Sequence, residues 1–164
     1  MNLIEELKQV IRELVEEGLI EEAFNKQTLN GLVNNFNSIF PNSSYGDLRV
    51  THKKVYGEDT TELKIVTQIK SSSSNGAYST VIVLRRNDLE EEWNVNMPCE
   101  VKCSCPAFKY NVAYGNLKSK NFYGRPDRWA RKRPEKKNVK GVPTMCKHLM
   151  RAAQEAVQQG IIQQ

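Results

Sequence analysis

The sequence lacks long apolar runs. Its longest uninterrupted aliphatic stretch, Val81 to Leu84, falls far short of the roughly 20 residues a membrane helix needs. Its opening, "MNLIEELKQ", is acidic and amphipathic, without the basic start and apolar stretch of a secretory leader. There is no Gly-rich phosphate loop and no Ser/His/Asp set, and of the two histidines, His52 and His148, only the second sits in a motif. The acids of "DLEEEW", Asp88 to Trp93, read as a solvated turn, with nothing nearby to partner them for acid-base work. These absences predict a protein that is cytoplasmic, not secreted, without a membrane partner and not an enzyme.

What is present fits a folded chain. At 164 residues, 39% hydrophobic and 26% charged, it is long enough to bury a core and has the composition of a globular protein. Apolar residues at Ile4, Leu7, Ile11 and Leu14, flanked by Leu3 and Val10, form the stripe of an amphipathic helix, and Gly18 reads as its left-handed stop. A second stripe, Leu29, Leu32, Val33, Phe36 and Phe40, ends at Pro41, which cannot continue a helix. The two are expected to form a helical hairpin packed on the rest, with a face for protein subunits as the alternative. In "ELKIVTQIK" and "YSTVIVLRR" the pattern turns to strands, and the polar link "SSSSNGAY" with Asn75-Gly76 predicts a hairpin with a long tip. The resulting division is a helical segment over 1–45, an antiparallel β region over 46–97 and a third unit over 98–164.

Four cysteines remain to be placed: Cys99, Cys103, Cys105 and Cys146. On a strand, Cys103 and Cys105 would face the same side with Cα atoms about 6.6 Å apart. Modest rotations then bring their sulfurs to the roughly 3.8 Å that two thiolates on one tetrahedral zinc require. A disulfide across one residue would be strained. In "GVPTMCKHLMRAAQEAV", Pro143 and Thr144 mark a helix start, so Cys146 is expected at or before the first turn with His148 inside it, both aimed at the first pair. The set Cys103, Cys105, Cys146 and His148 would close a Cys3His sphere around Zn2+, and a closed sphere is structural where a catalytic one keeps a place for water. The alternative is that these cysteines are small core residues. Cys99 lies about 13 Å up the strand and reads as core; His52 reads as exposed or locally satisfied.

The order C-x-C, insert, C-x-H resembles the SWIM-type zinc finger, carried here by "CSCPAFKY" and "MCKHLMRA", with Pro106, Phe108 and Leu149 also in the family's manner. The resemblance covers roughly 98–158. It implies a small ββα unit holding one zinc through Cys103, Cys105, Cys146 and His148, with DNA or protein as partner. The insert, 106–145, is longer than is usual for the family. In this long-insert form, with "GVP" before "CKHL", the chain is similar to little-characterised proteins of large tailed phages, which would place it in a host cytoplasm and virion. The fold class expected is therefore α+β: an N-terminal helical hairpin, an antiparallel sheet, and a C-terminal ββα SWIM-like unit with a long basic insert.

Charge is placed unevenly. The net +5 is concentrated in 106–145, which carries 11 Lys/Arg against 2 Asp/Glu, while 1–105 carries 11 against 16. Tyr110, Ala113, Tyr114 and Leu117 predict a short helix, after which "SKNFYGRPDRWARKRPEKKNVKG" has almost no periodicity. Its Arg125, Arg128, Arg131, Lys132, Arg133, Lys136 and Lys137, interleaved with Phe122, Tyr123 and Trp129, could neutralise phosphates and stack bases of a nucleic acid, or meet an acidic protein surface. Equally, the aromatics could pin a loop while the lysines face water. Two functions follow: a zinc-stapled module binding nucleic acid or protein, or a zinc-stapled structural or adaptor component of a tailed-phage particle.

Overall fold

The computed structural model describes residues 2–16, 25–71 and 76–164. The expected helix stop at Gly18 and the Asn75 part of the hairpin tip lie outside these. Four α-helices and one four-stranded sheet are present among the described residues. They run α1 (Leu3–Glu16), α2 (Leu29–Ile39), β1 (Arg49–Tyr56), β2 (Glu62–Lys70), β3 (Ala77–Arg85), β4 (Cys99–Cys103), α3 (Ala113–Lys118) and α4 (Lys147–Gln158). A π-helical turn, Phe108–Val112, leads into α3, and a 3-10 turn, Arg128–Arg131, follows it.

The sheet is an antiparallel meander in the order β1-β2-β3-β4. Its register follows from period two: Leu63, Ile65, Thr67 and Ile69 of β2 are all buried, with more accessible neighbours between them. Opposite them in β3 are Leu84, Ile82, Thr80 and Tyr78. Helix α2 begins at Thr28, whose hydroxyl accepts from the Gly31 N–H at 3.0 Å, and it buries Leu29, Leu32 and Phe36. Helix α4 contacts all four strands. Its buried positions Leu149, Ala152, Ala153 and Ala156 include three small residues, which let the helix axis lie close to the sheet. Buried residues of α2, the sheet, the insert and α4 share one hydrophobic cluster.

Two expectations about packing are corrected. Helix α1 forms, but its stripe is not packed on the rest: Leu3, Ile4, Leu7, Val10 and Ile11 are each half or more exposed. The insert helix does not present Tyr110 inward. The π turn places one more residue in the turn, so Phe108, Val112, Ala113 and Tyr114 are buried and Tyr110 is 49% exposed.

The insert is a folded lobe against the outer edge of β4. The Val101 N–H donates to the Asn121 carbonyl at 2.7 Å, and the Tyr123 N–H donates to the Val101 carbonyl at 3.0 Å, so that edge is covered. Gly115 lets the lobe close on itself, because a Cβ there would sit 2.4 Å from the Gly141 carbonyl oxygen. Gly141, at φ +68°, takes the left-handed turn that makes this approach.

Candidate metal centre

Cys103 ends β4, paired across the sheet with Thr80. Cys105 is not on the strand as expected but in the bend after it. The bend is held against β3: the Ser104 N–H donates to the Ser79 carbonyl at 3.1 Å, and the Ser79 N–H donates to Ser104 Oγ at 3.0 Å. The chain then turns into the π-helical segment, whose Phe108 N–H donates to Cys105 Sγ at 3.3 Å. Such an N–H to sulfur bond steadies a thiolate and orients it.

The other pair stands where the helix signals put it. Cys146 is the N-cap of α4 in extended conformation, its thiol making no capping bond, and His148 is the second residue of the helix. A thiolate there meets the positive end of the helix dipole. The imidazole packs against Tyr78 of β3, with ring centres 4.8 Å apart.

One ligand atom each from Cys103, Cys105, Cys146 and His148 falls within 4.8 Å of the others, and all four residues are buried. Tetrahedral thiolates around one ion lie roughly 3.8 Å apart, so the cluster is sized for a single metal ion. Two further observations fit that ion. Both ring nitrogens of His148 are buried without a hydrogen-bond partner, a condition that costs about 1–3 kcal/mol for a buried polar group unless something binds it. The thiols also disturb one another. Mutual hydrogen bonding raises Cys103 above its ordinary range and draws Cys105 down, and burial pushes Cys146 well up. Three adjoining buried thiols cannot all ionise unless a cation sits among them.

Cys99 is separate. It is buried in the hydrophobic cluster, and burial pushes its thiol up to about 12. His52 is exposed on β1, and the acids of 88–92 are exposed as well.

All seven basic residues singled out in the insert are exposed, and Trp129 is partly so. Asp127 caps the turn carrying Arg128, Trp129 and Arg131 by accepting from the Trp129 and Ala130 N–H groups. Lys132 pairs with Glu135 at 3.5 Å, and Arg133 donates to the Val139 carbonyl at 3.1 Å. Lys136 and Lys137 face the segment after α2.

Sequence reasoning missed three asparagines that hold the lobe in shape and in place. Asn116, fully buried, donates to the Thr144 carbonyl at 2.9 Å and accepts from the Thr144 N–H at 2.8 Å, two residues before Cys146. Asn121 donates to the carbonyls of Cys99 and Gln27 at 2.7 and 2.9 Å. Asn138, at φ 56°, donates to the carbonyls of Asn111 and Val142 and accepts from the Val142 N–H. Only the tolerance of asparagine for left-handed backbone could have marked one of them, Asn138. The chain matches no known protein family, no curated protein and no solved structure.

Proposed function

We propose that this chain is a non-enzymatic zinc-binding protein, SWIM-like in its ligand order, whose metal centre holds a basic lobe in shape to bind nucleic acid. The observation that supports it most is the closed, buried Cys3His cluster with an unpartnered imidazole. Three sulfurs and one nitrogen in tetrahedral reach suit zinc among the common divalent ions. A buried sphere made wholly of protein donors leaves no position for a substrate or an activated water, so the role is structural. The ion would tie the end of β4 to the first turn of α4. The basic excess of 106–145 lies between those two anchors in sequence, and seven of its exposed cations, from Arg125 to Lys137, form the contact surface.

Elemental analysis of the purified chain tests the metal: one zinc per chain is expected, and none would refute the reading. A gel-shift titration over salt tests the partner. Affinity for nucleic acid should fall steeply with salt and should drop when Arg131, Lys132, Arg133, Lys136 and Lys137 are changed to alanine with zinc content unchanged.

A second reading, an adaptor component of a tailed-phage particle, is favoured by one observation, the uncovered apolar stripe of α1. It expects α1 to dock on a neighbouring subunit while the zinc keeps the same structural role.

A further inference from the structure

We infer that a cavity beside Trp129 is a base-binding site for single-stranded nucleic acid. The inference rests on the nucleic-acid reading and names the part of the lobe that takes an unpaired base. The cavity encloses about 340 Å3 between the π-helical turn, the 3-10 turn and the segment after it, within the roughly 300–1,000 Å3 of small-ligand sites. Tyr110 and Trp129 supply its aromatic wall, packed edge to face with ring centres 5.2 Å apart. Tyr110 is 49% exposed and Trp129 partly so, and ring surface left open to water beside a cavity is available for stacking.

The charges around the rings select the ligand. Lys109, Arg128 and Lys132 stand 5.3, 5.1 and 5.4 Å from the Trp129 ring centre. Arg133 and Lys136 also line the cavity, against one lining carboxylate, Glu135. An aromatic cage for a quaternary ammonium needs the opposite, open rings without competing cations. Here a cationic ligand would be repelled. A flat ring attached to an anionic backbone satisfies both features, stacking on the indole while flexible lysines swing from ring to phosphate.

The cavity is also the middle of a track. Lys109 borders a second cleft that contains Lys102 and Arg125, and Lys136 borders a third that contains Lys137. A chain lying along these three depressions would meet cations in each, against the carboxylates of Asp127 and Glu135, with the Tyr110 and Trp129 rings at the centre. Only an unpaired base can use those rings, because duplex bases have their faces covered by their neighbours. The metal centre sets the wall: the Lys109 N–H donates to the Cys105 carbonyl at 3.2 Å and the Phe108 N–H to its sulfur, so the turn bearing Lys109 and Tyr110 is built on a ligand residue.

Fluorescence titration of the full, zinc-loaded chain tests the site. Trp93 is 6% exposed and capped by Arg86, 4.2 Å from its ring, so a change in emission reports Trp129. Short oligo(dT) and oligo(U) should quench saturably. Gel-shift titration over salt reads the variants that lack the reporter: Trp129→Ala should weaken binding about tenfold or more with the salt slope unchanged, and Trp129→Phe should recover most of the loss. Lys136→Ala should instead lower the salt slope, by about 0.7 per lost phosphate contact. Should Trp129→Ala lose zinc or melt early, exposed Tyr110→Ala carries the same test. Wild-type affinity in the Trp129→Ala or Tyr110→Ala variant would overturn the site and leave the nucleic-acid reading standing. So would equal quenching by a blunt duplex. Displacement of the oligonucleotide by equimolar poly-glutamate would assign the surface to acidic protein. No binding of wild-type chain at low salt would remove the nucleic-acid reading together with the site.

Discussion

Helices α1 and α4 are both amphipathic, and both carry an apolar stripe at helical spacing. Yet α4 buries its stripe on the sheet, whereas the Leu3, Ile4, Leu7, Val10 and Ile11 stripe of α1 faces water. The stripe of the exposed helix is made of leucine, isoleucine and valine, whereas half of the buried residues of α4 are alanines. Hydrophobic content therefore did not decide which helix packs. What separates them is attachment. The first turn of α4 holds Cys146 and His148, the segment before it is clamped by Asn116, and its alanines permit close approach. Among the described residues nothing comparable ties α1. A pattern states what a helix is able to bury and leaves open what it is buried against.

The comparison is broken most directly at the metal. Chelation, or His148→Ala, should release α4 and leave 106–164 sensitive to protease. A structural zinc contributes about 10–16 kcal/mol in small finger peptides, comparable to the roughly 5–15 kcal/mol stability of a whole domain. Thermal melting followed by circular dichroism, with and without chelator, measures this, and an unchanged melt would remove the centre from the account. Next in size is Asn116→Ala. It strands the N–H and carbonyl of Thr144 and should cost about 1–3 kcal/mol by urea denaturation while zinc content stays at one.

Cys99→Ala sharpens the contrast between cysteines on one strand. It should retain the metal and cost about 1 kcal/mol, the usual centre for point substitutions. It should also change the response to alkali. The folded protein holds the Cys99 thiol at about 12 against an ordinary 9.0, so the proton is bound more tightly when folded. That contribution is complete below about pH 9 and declines as pH rises toward 12. The variant should therefore lose less stability over that window than the wild type, and a parallel pH profile would refute the assignment. The smallest effect is expected in α1, where Leu7→Glu should leave the unfolding free energy of the isolated chain within about 0.5 kcal/mol of wild type by urea denaturation. A larger loss would show that the stripe is covered in solution.

Local chemistry was legible where it was local. The β2–β3 hairpin, the stripe of α2 with its end before Pro41 and the placement of Cys146 and His148 about the first turn of α4 all follow from period and breaker residues within a few positions of each other. The same logic failed at Tyr110, because the extra residue of a π turn comes from how the segment leaves Cys105 and is invisible to a 3.6-residue period. In the basic stretch, read as almost without periodicity, it left open how the segment folds, and the structure shows a lobe with Phe122 and Ala130 on the core. The lobe is held by Asn116, Asn121 and Asn138, each bonded to backbone at least 22 residues away, with Asn138 also clasping nearby Val142; from Asn121 to Gln27 the bond spans 94 residues.

By itself the sequence determined the elements and the chemical character of the ligand set, since propensity, capping and the preference of soft donors for a metal act over a few residues. Tertiary structure alone decided that the four donors converge, that α4 is covered and α1 is not, and that the lysines of the insert border a track with a tryptophan at its centre. Each of these depends on surfaces meeting across long chain separations, and the free energy of such meetings is a property of shape and of satisfied polar groups, which no local pattern encodes.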